Sequence, residues 1–218
     1  MKLVWSPETA SKAYIDTVKS CEIFNESGVA ELVAAMAAGW NAGFIVETWS
    51  QGGAIATSIG LAVASRHTSG RHLCIVPDEG SRLEYVEAIG EAGFSPEVIV
   101  GDAEEAVKGL VGINFMVVDS RHKDFAGVLR LAKLSNRGAV LVCKNAYSRS
   151  ASNFRWRSVV EEEGSRRLHR SVFLPVGEGL DIAHVAVGGV NYRSGKGVVS
   201  RWFKHVDQQS GELHVFRK

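Results

Sequence analysis

After Asn41 the chain alternates short runs of β-forming residues with longer helical stretches, and this alternation constrains the fold more than any single residue does. The strand-like runs are Phe44–Thr48, Leu73–Val76, Glu97–Val100, Phe115–Val118 and Val140–Cys143. Helical stretches lie between them at about Ala54–Ser65, Gly80–Ala92, Ala103–Val107 and Phe125–Leu134. Strands joined through a helical crossover pair in parallel, so the pattern predicts βαβ units with helices on both faces of a mostly parallel sheet. Gly93, Gly101 and Gly138 mark the turns, and Gly138 just after Arg137 reads as a helix stop. Two helices are expected ahead of the sheet. Ser6-Pro7-Glu8 puts a capping serine before a proline at the first helical position, for a helix to about Lys19. From Ser27 to Trp40, Val29, Leu32, Val33, Met36 and Trp40 recur at helical spacing, and Asn41-Ala42-Gly43 closes the run.

The last third changes character. Phe173–Gly177 and Gly179–Val187 meet at Gly177-Glu178-Gly179, a hairpin signature that predicts an antiparallel edge to the sheet. Past the glycine-rich stretch Asn191–Val199, the runs Arg201–Val206 and Glu212–Phe216 flank Asp207–Gly211 and predict an appended hairpin. With 218 residues, 45% hydrophobic and 22% charged, the chain is expected to form one soluble domain: amino-terminal helices over 6–40, a core over 41–187 and a basic hairpin over 191–218. No apolar run approaches the roughly 20 residues that span a bilayer, and MKLVWSPETA has no h-region, so a cytoplasmic place, with the nucleus as the alternative and no membrane contact, is expected. Cys21, Cys74 and Cys143 are odd in number and lack CxxC spacing, which suits reduced core thiols rather than disulfides or zinc.

The stretch Ile45–Ala64 carries the first chemistry. An apolar strand ends in Glu47, breaks at Gly52-Gly53 and continues into an alanine-rich helix. Missing side chains in such a turn let backbone N–H groups at a helix start approach a ligand, and a carboxylate at a strand's carboxyl end lies where open α/β sheets bind ligands. The same residues also fit a plainer arrangement, in which the glycines allow close helix–strand packing and Glu47 caps the helix.

In order and spacing, several pieces together resemble class I S-adenosylmethionine-dependent methyltransferases, most nearly the caffeoyl-CoA O-methyltransferase type. They are the acid-ended strand and glycine turn at Ile45–Gly53, Asp78-Glu79 after the second strand, Glu91–Phe94 before the third, Gly101-Asp102-Ala103 after it, Val117–Asp119 ending the fourth and Leu141–Asn145 ending the fifth. Leu174–Leu180 is similar to that family's closing hairpin. The opening WSPETASKAYIDTV, and the chain as a whole, also resemble a plant family of uncharacterised proteins grouped with these methyltransferases by fold. The resemblance implies a Rossmann-like methyltransferase fold, S-adenosylmethionine as cofactor, and transferase activity. It places Glu47, Gly52 and Gly53 at the methionine end, Asp78 or Glu79 at the ribose hydroxyls, Asp102 and Ala103 at the adenine, and Asp119 beside the cofactor. For Asp78, Glu79 and Asp102, a role as exposed acids at helix N-termini fits equally.

Two departures stand out. The family's loop reads E-x-G-x-x-x-G, and Trp49 occupies the first glycine's place. The metal-dependent members hold a divalent cation between an aspartate after the fourth strand and an Asp-Asn pair after the fifth. Asp119 matches the first, but Lys144-Asn145 replaces the pair, and an ammonium repels the cation that carboxylates attract. No metal is therefore expected, and Lys144 is expected to pair with Asp119. His122, three residues beyond Asp119, is the best-placed histidine for a general base, and Lys144 is a second catalytic candidate. An exposed loop histidine is the plainer alternative. Gly52-Gly53 lacks the Lys-Ser/Thr of a P-loop and no G-x-S-x-G elbow exists, which sets nucleotidase and serine-hydrolase chemistry aside.

Charge is uneven: 12 basic and 17 acidic side chains precede residue 144, and 13 basic against 7 acidic follow from there. Tyr147–Arg170 interleaves Arg149, Arg155, Arg157, Arg166, Arg167 and Arg170 with Tyr147, Phe154 and Trp156, a composition suited to RNA, and Arg193, Lys196, Arg201, Lys204, Arg217 and Lys218 add to it. The alternative function is thus a catalytically inactive scaffold that binds protein or RNA through this basic third.

Overall fold

The computed structural model describes residues 4–21, 28–149, 154–161, 164, 166–187, 202–206 and 213–217. The expected helix start at Ser27, the Gly188-Gly189 and Asn191–Val199 stretches, the turn Asp207–Gly211 and the basic side chains of the tail lie outside the described residues.

Seven strands form the main sheet: β1 (Phe44–Thr48), β2 (Arg71–Val76), β3 (Glu97–Val100), β4 (Phe115–Asp119), β5 (Ala139–Lys144), β6 (Arg166–Leu174) and β7 (Leu180–Val187). Their order is β3-β2-β1-β4-β5-β7-β6. The first five pair in parallel, whereas β7 runs antiparallel to both β5 and β6. β4 and β5 are buried along their whole length, as strands covered on both faces must be, and their sequences FMVVD and AVLVCK are accordingly continuous apolar runs. This α/β sheet with its antiparallel edge is a Rossmann-like methyltransferase fold.

Helices α1 (Pro7–Ser20), α2 (Val29–Gly39) and α3 (Ile55–Thr68) pack together, and α3 is buried from Ile55 to Ala64. Ser6 caps α1 through the Thr9 N–H, with Pro7 leading the first turn. Gly60 permits the close crossing of α3 on α2, since a Cβ there would come within 2.5 Å of the Ala30 carbonyl oxygen. Between the strands, α4 (Glu79–Glu91), α5 (Ala103–Lys108) and α6 (Phe125–Leu131) complete the crossovers.

Two elements differ from expectation. α6 ends at Leu131 instead of Leu134, because the Arg166 guanidinium donates to the carbonyls of Leu129, Arg130 and Ala132; Lys133–Leu134 then pairs with Val111–Ile113 in a small parallel sheet. The first edge strand starts at Arg166, seven residues before the expected Phe173, so a long two-stranded edge replaces a short hairpin. Its alternation of exposed Arg167 and His169 with half-buried Leu168 suits an edge strand, although arginine-rich sequence gives little strand signal. α7 (Trp156–Val160) precedes β6 in the chain, and the antiparallel pair β8 (Trp202–Val206) and β9 (Leu213–Arg217) follows β7.

Candidate functional site

Strand order reverses between β1 and β4, and in open α/β sheets the crevice beyond the carboxyl ends at that reversal is where ligands bind. A cavity of about 330 Å³ opens there. Thr48, Trp49 and Ser50 line it after β1, and Ile75, Val76 and Pro77 at the end of β2. Gly101, Asp102 and Ala103 follow from β3, Asp119 and His122 from β4, and Phe125 and Val128 from α6. The mixture of apolar walls with a few polar groups is that of a small-molecule site.

Among the residues singled out from the sequence, Asp102, Ala103, Asp119 and His122 meet in this cavity, whereas Glu47, Gly52, Gly53, Asp78, Glu79 and Lys144 do not line it. Glu47 faces the helical layer. It is fully buried, and its carboxylate accepts hydrogen bonds from Ser58 at 2.8 Å, Tyr85 at 2.8 Å and the His72 Nε2–H at 3.0 Å. Burial pushes its carboxyl up, but the hydrogen bonds of His72 and Tyr85, with the charges of His72 and Lys144, hold it below its ordinary range. Tyr85 and His72 gave no sequence signal for this role, because contacts across 38 and 25 residues carry no local pattern.

The loop after β1 is closed on itself. Trp49 is only 3% exposed and packs edge-on against Tyr85, ring centroids 5.4 Å apart. The Gly53 N–H donates to the Ser50 carbonyl at 2.9 Å, and the Gly52 N–H donates to the Glu84 carboxylate at 3.0 Å. Gly52 adopts φ 71°, the left-handed turn conformation that glycine provides.

Asp78 caps α4, accepting from the Ser81 N–H at 2.7 Å, and those hydrogen bonds lower its carboxyl. Glu79 pairs with Arg82 on the same helix. Asp102 likewise caps α5 through the Glu105 N–H at 2.9 Å while also lining the cavity. His122 Nε2 and Ser50 Oγ lie 3.0 Å apart across the cavity wall.

Asp119 is gripped by the Arg121 guanidinium at 2.7 Å, the Arg121 N–H at 3.0 Å and the Asn145 side-chain amide at 2.9 Å. Burial raises its carboxyl, and these donors together with Lys144 more than reverse that. Lys144, in register with Asp119 on the neighbouring strand, does not form the expected pair. Arg121, with its planar fork, takes the carboxylate instead, and the Lys144 Nζ is buried at 5% exposure with no hydrogen-bond partner. Its charge nevertheless lowers the carboxyls of both Glu47 and Asp119. This donor set does not fit a divalent cation: the one carboxylate is committed to an arginine and an ammonium lies alongside. Among the described residues, no three Asp, Glu, His or Cys side chains converge as metal ligands.

Part of the arginine-aromatic segment, Arg149 with Phe154 and Trp156, is turned inward. Arg149 pairs with Asp181 at 2.6 Å and lies over the Phe154 ring, and the Trp156 Nε1–H donates to the same Asp181 at 2.6 Å. Trp156 is buried, and Phe154 stacks between it and Phe125. Arg155, Arg157, Arg167 and Arg170 are exposed, but of the aromatics only Tyr147, at 61%, presents a free face to solvent, and it packs edge-on against Phe173.

The sheet order and the crevice define a protein of the Rossmann-like class I methyltransferase fold. The chain belongs to the family described as protein of unknown function DUF1442, whose model matches residues 1–218. No curated protein matches it in sequence. In structure it is similar to the SAH-bound methyltransferase PaMTH1 of Podospora anserina, with a TM-score of 0.56 and 15% identity over 85% of this chain and 90% of that one. A Staphylococcus aureus protein provisionally assigned as a caffeoyl-CoA O-methyltransferase gives a TM-score of 0.55 at 14% identity, over 80% and 92% of the two chains. The O-methyltransferase TomG of Streptomyces achromogenes, solved in complex with SAM, gives 0.51 at 21% identity over 86% and 92%. At these identities the likeness shows the fold.

Proposed function

We propose that this protein binds S-adenosylmethionine in the crevice at the β1–β4 reversal and transfers its methyl group without a metal ion. The observation that carries the reading is the convergence of Asp102, Ala103 and His122 on one cavity at the carboxyl ends of the strands. Structural similarity to methyltransferases bound to SAM or SAH supports it. When bound, the cofactor supplies an electrophilic methyl group on a sulfonium.

In this reading the apolar walls from Val76, Phe125 and Val128 exclude water around the adenine, and the Asp102 carboxylate accepts from its amino group. His122, aligned by its contact with Ser50, would take the proton from an acceptor hydroxyl or amine as the acceptor's lone pair bonds to the methyl carbon, the methyl–sulfur bond breaks and its electron pair stays on the thioether sulfur of S-adenosylhomocysteine. With Asp119 neutralised by Arg121, electrostatic activation by a bound cation has no counterpart here, so proton transfer to His122 carries the acceptor's activation. A cytoplasmic or nuclear place in a plant cell goes with this reading. It draws support from the opening stretch's likeness to a plant family and from three buried cysteines that form no disulfide; among the described residues no helix is long and apolar enough to cross a membrane. The rival reading, a scaffold that holds RNA or protein, draws support from exposed Arg155, Arg157, Arg167 and Arg170.

Isothermal titration of the full chain with S-adenosylmethionine and S-adenosylhomocysteine tests the proposal. Binding that weakens in Asp102→Asn, which keeps the helix cap but removes the charge, supports it. No heat and no thermal shift at millimolar ligand refutes it.

A further inference from the structure

An S-adenosylmethionine molecule ends in a zwitterionic amino-acid arm, which a binding site must match with donors for the carboxylate and acceptors for the ammonium. Desolvating both charges without partners is costly. In this crevice the glycine N–H donors and the carboxylates at that end are already used. The Gly52 N–H is bound to Glu84 at 3.0 Å and the Gly53 N–H to Ser50 at 2.9 Å. Glu47 is sealed behind the loop with three donors of its own. Trp49 fills the space between: a Cβ on Gly53 would stand 2.9 Å from the indole Nε1, so the absent side chain at 53 makes room for the indole and not for a ligand. On the other wall, Asp119 is committed to Arg121 and Asn145. The adenosine side keeps its opening, lined by Val76, Asp102, Ala103, Phe125 and Val128. The cavity's volume of about 330 Å³ sits at the small end of ligand sites, which run from roughly 300 to 1,000 Å³.

We infer that the crevice recognises the adenosine part of its ligand alone, so that adenosine and 5′-methylthioadenosine bind as well as S-adenosylmethionine does. This rests on the reading that the crevice takes the cofactor's adenosine end. It narrows that reading: recognition lies in the nucleoside, and the amino-acid arm contributes no affinity.

The test is calorimetric titration of the full chain with S-adenosylmethionine, S-adenosylhomocysteine, 5′-methylthioadenosine and adenosine under one condition. A loop that gripped the arm through two charge-assisted hydrogen bonds would favour the first two by about 100-fold or more. The inference expects all four dissociation constants within about tenfold of one another. A preference of more than tenfold for the ligands that carry the arm overturns it while leaving the adenosine crevice intact, and binding of none of the four overturns both. Trp49→Gly restores the missing glycine and is expected to raise affinity for S-adenosylmethionine and S-adenosylhomocysteine, the two ligands that carry the arm, and not for the other two. Because it also empties a packed position, Glu84→Ala, which frees the Gly52 N–H without touching the core, is measured beside it. If neither variant gains selectivity for the arm and the wild type prefers it, the loop is not closed as inferred.

Discussion

Replacing Tyr85 by phenylalanine separates a structural role for Glu47 from a ligand-binding one. The substitution keeps the ring that packs against Trp49 and removes one hydroxyl, which donates to Glu47 at 2.8 Å in a fully buried setting. A hydrogen bond to a charged group is worth about 1.5–3 kcal/mol, and here the lost donor leaves a buried carboxylate with two partners, Ser58 and His72, so the loss is placed at about 2 kcal/mol. For a chain of this size each kcal/mol moves the melting midpoint by about 2–4 °C, which predicts a fall of about 4–8 °C. Thermal unfolding followed by circular dichroism at neutral pH reads this directly, with ligand titration of the same variant alongside. Stability should fall and nucleoside affinity should hold. A midpoint within about 1 °C of wild type, or lost ligand binding at unchanged stability, would refute the assignment of Glu47 to the core.

Three further outcomes follow from the same geometry. The folded-state carboxyl of Glu47 lies below its ordinary value of about 4.5, so its stabilising contribution is full above that pH and is lost as pH falls through the folded value; the stability gap between wild type and Glu47→Gln should therefore close on acidification below about 4.5, measured by urea unfolding across pH. Lys144→Asp returns a carboxylate beside Asp119 and Asn145 and should confer manganese binding, read by paramagnetic broadening or calorimetry, whereas stoichiometric magnesium, manganese or calcium binding by the wild type would overturn the metal-free assignment. Charge reversal at Arg155, Arg157, Arg167 and Arg170 should abolish any salt-dependent RNA gel shift while leaving nucleoside binding unchanged; a shift that survives places RNA contact elsewhere or on no specific surface.

The inner strands were legible in the sequence because parallel strands buried on both faces must be continuous apolar runs, and all five runs expected as strands, the exposed edge strand β3 included, formed with bounds within a few residues. β6 was only partly visible, since an edge strand rich in arginine has neither an apolar run nor a full alternation. Among the candidate residues, the helix caps Asp78 and Asp102 were readable as local features, because a cap bonds three residues away. What governs Glu47, Trp49 and Lys144 was not, because it depends on which face of a strand or loop each side chain takes and on donors supplied by Tyr85, His72 and Arg121. Arg121 did carry a local hint, lying two residues past Asp119, where an aspartate readily accepts the following N–H.

The two departures in the sequence, Trp49 and Lys144, have related physical consequences. Glu47 and Asp119 are buried carboxylates at the ends of neighbouring strands, and each needs compensation for lost hydration. A bound cation and a ligand's ammonium are external sources of it. This chain supplies it internally: Arg121 takes Asp119, His72 and Tyr85 take Glu47, and the Lys144 ammonium, itself without a hydrogen bond, lowers the carboxyls of both. With the two carboxylates satisfied from within, the loop after β1 has no ligand charge to meet, and the indole of Trp49 packs there edge-on against Tyr85. Removing Lys144 alone should then destabilise the fold through both carboxylates, more than the loss of one unpaired ammonium would suggest. Lys144→Met, which keeps the length of the side chain, distinguishes the cases. A stabilised variant would mean that desolvating the ammonium costs more than its attraction to the two carboxylates returns, and that the charge balance proposed for this end of the sheet is wrong.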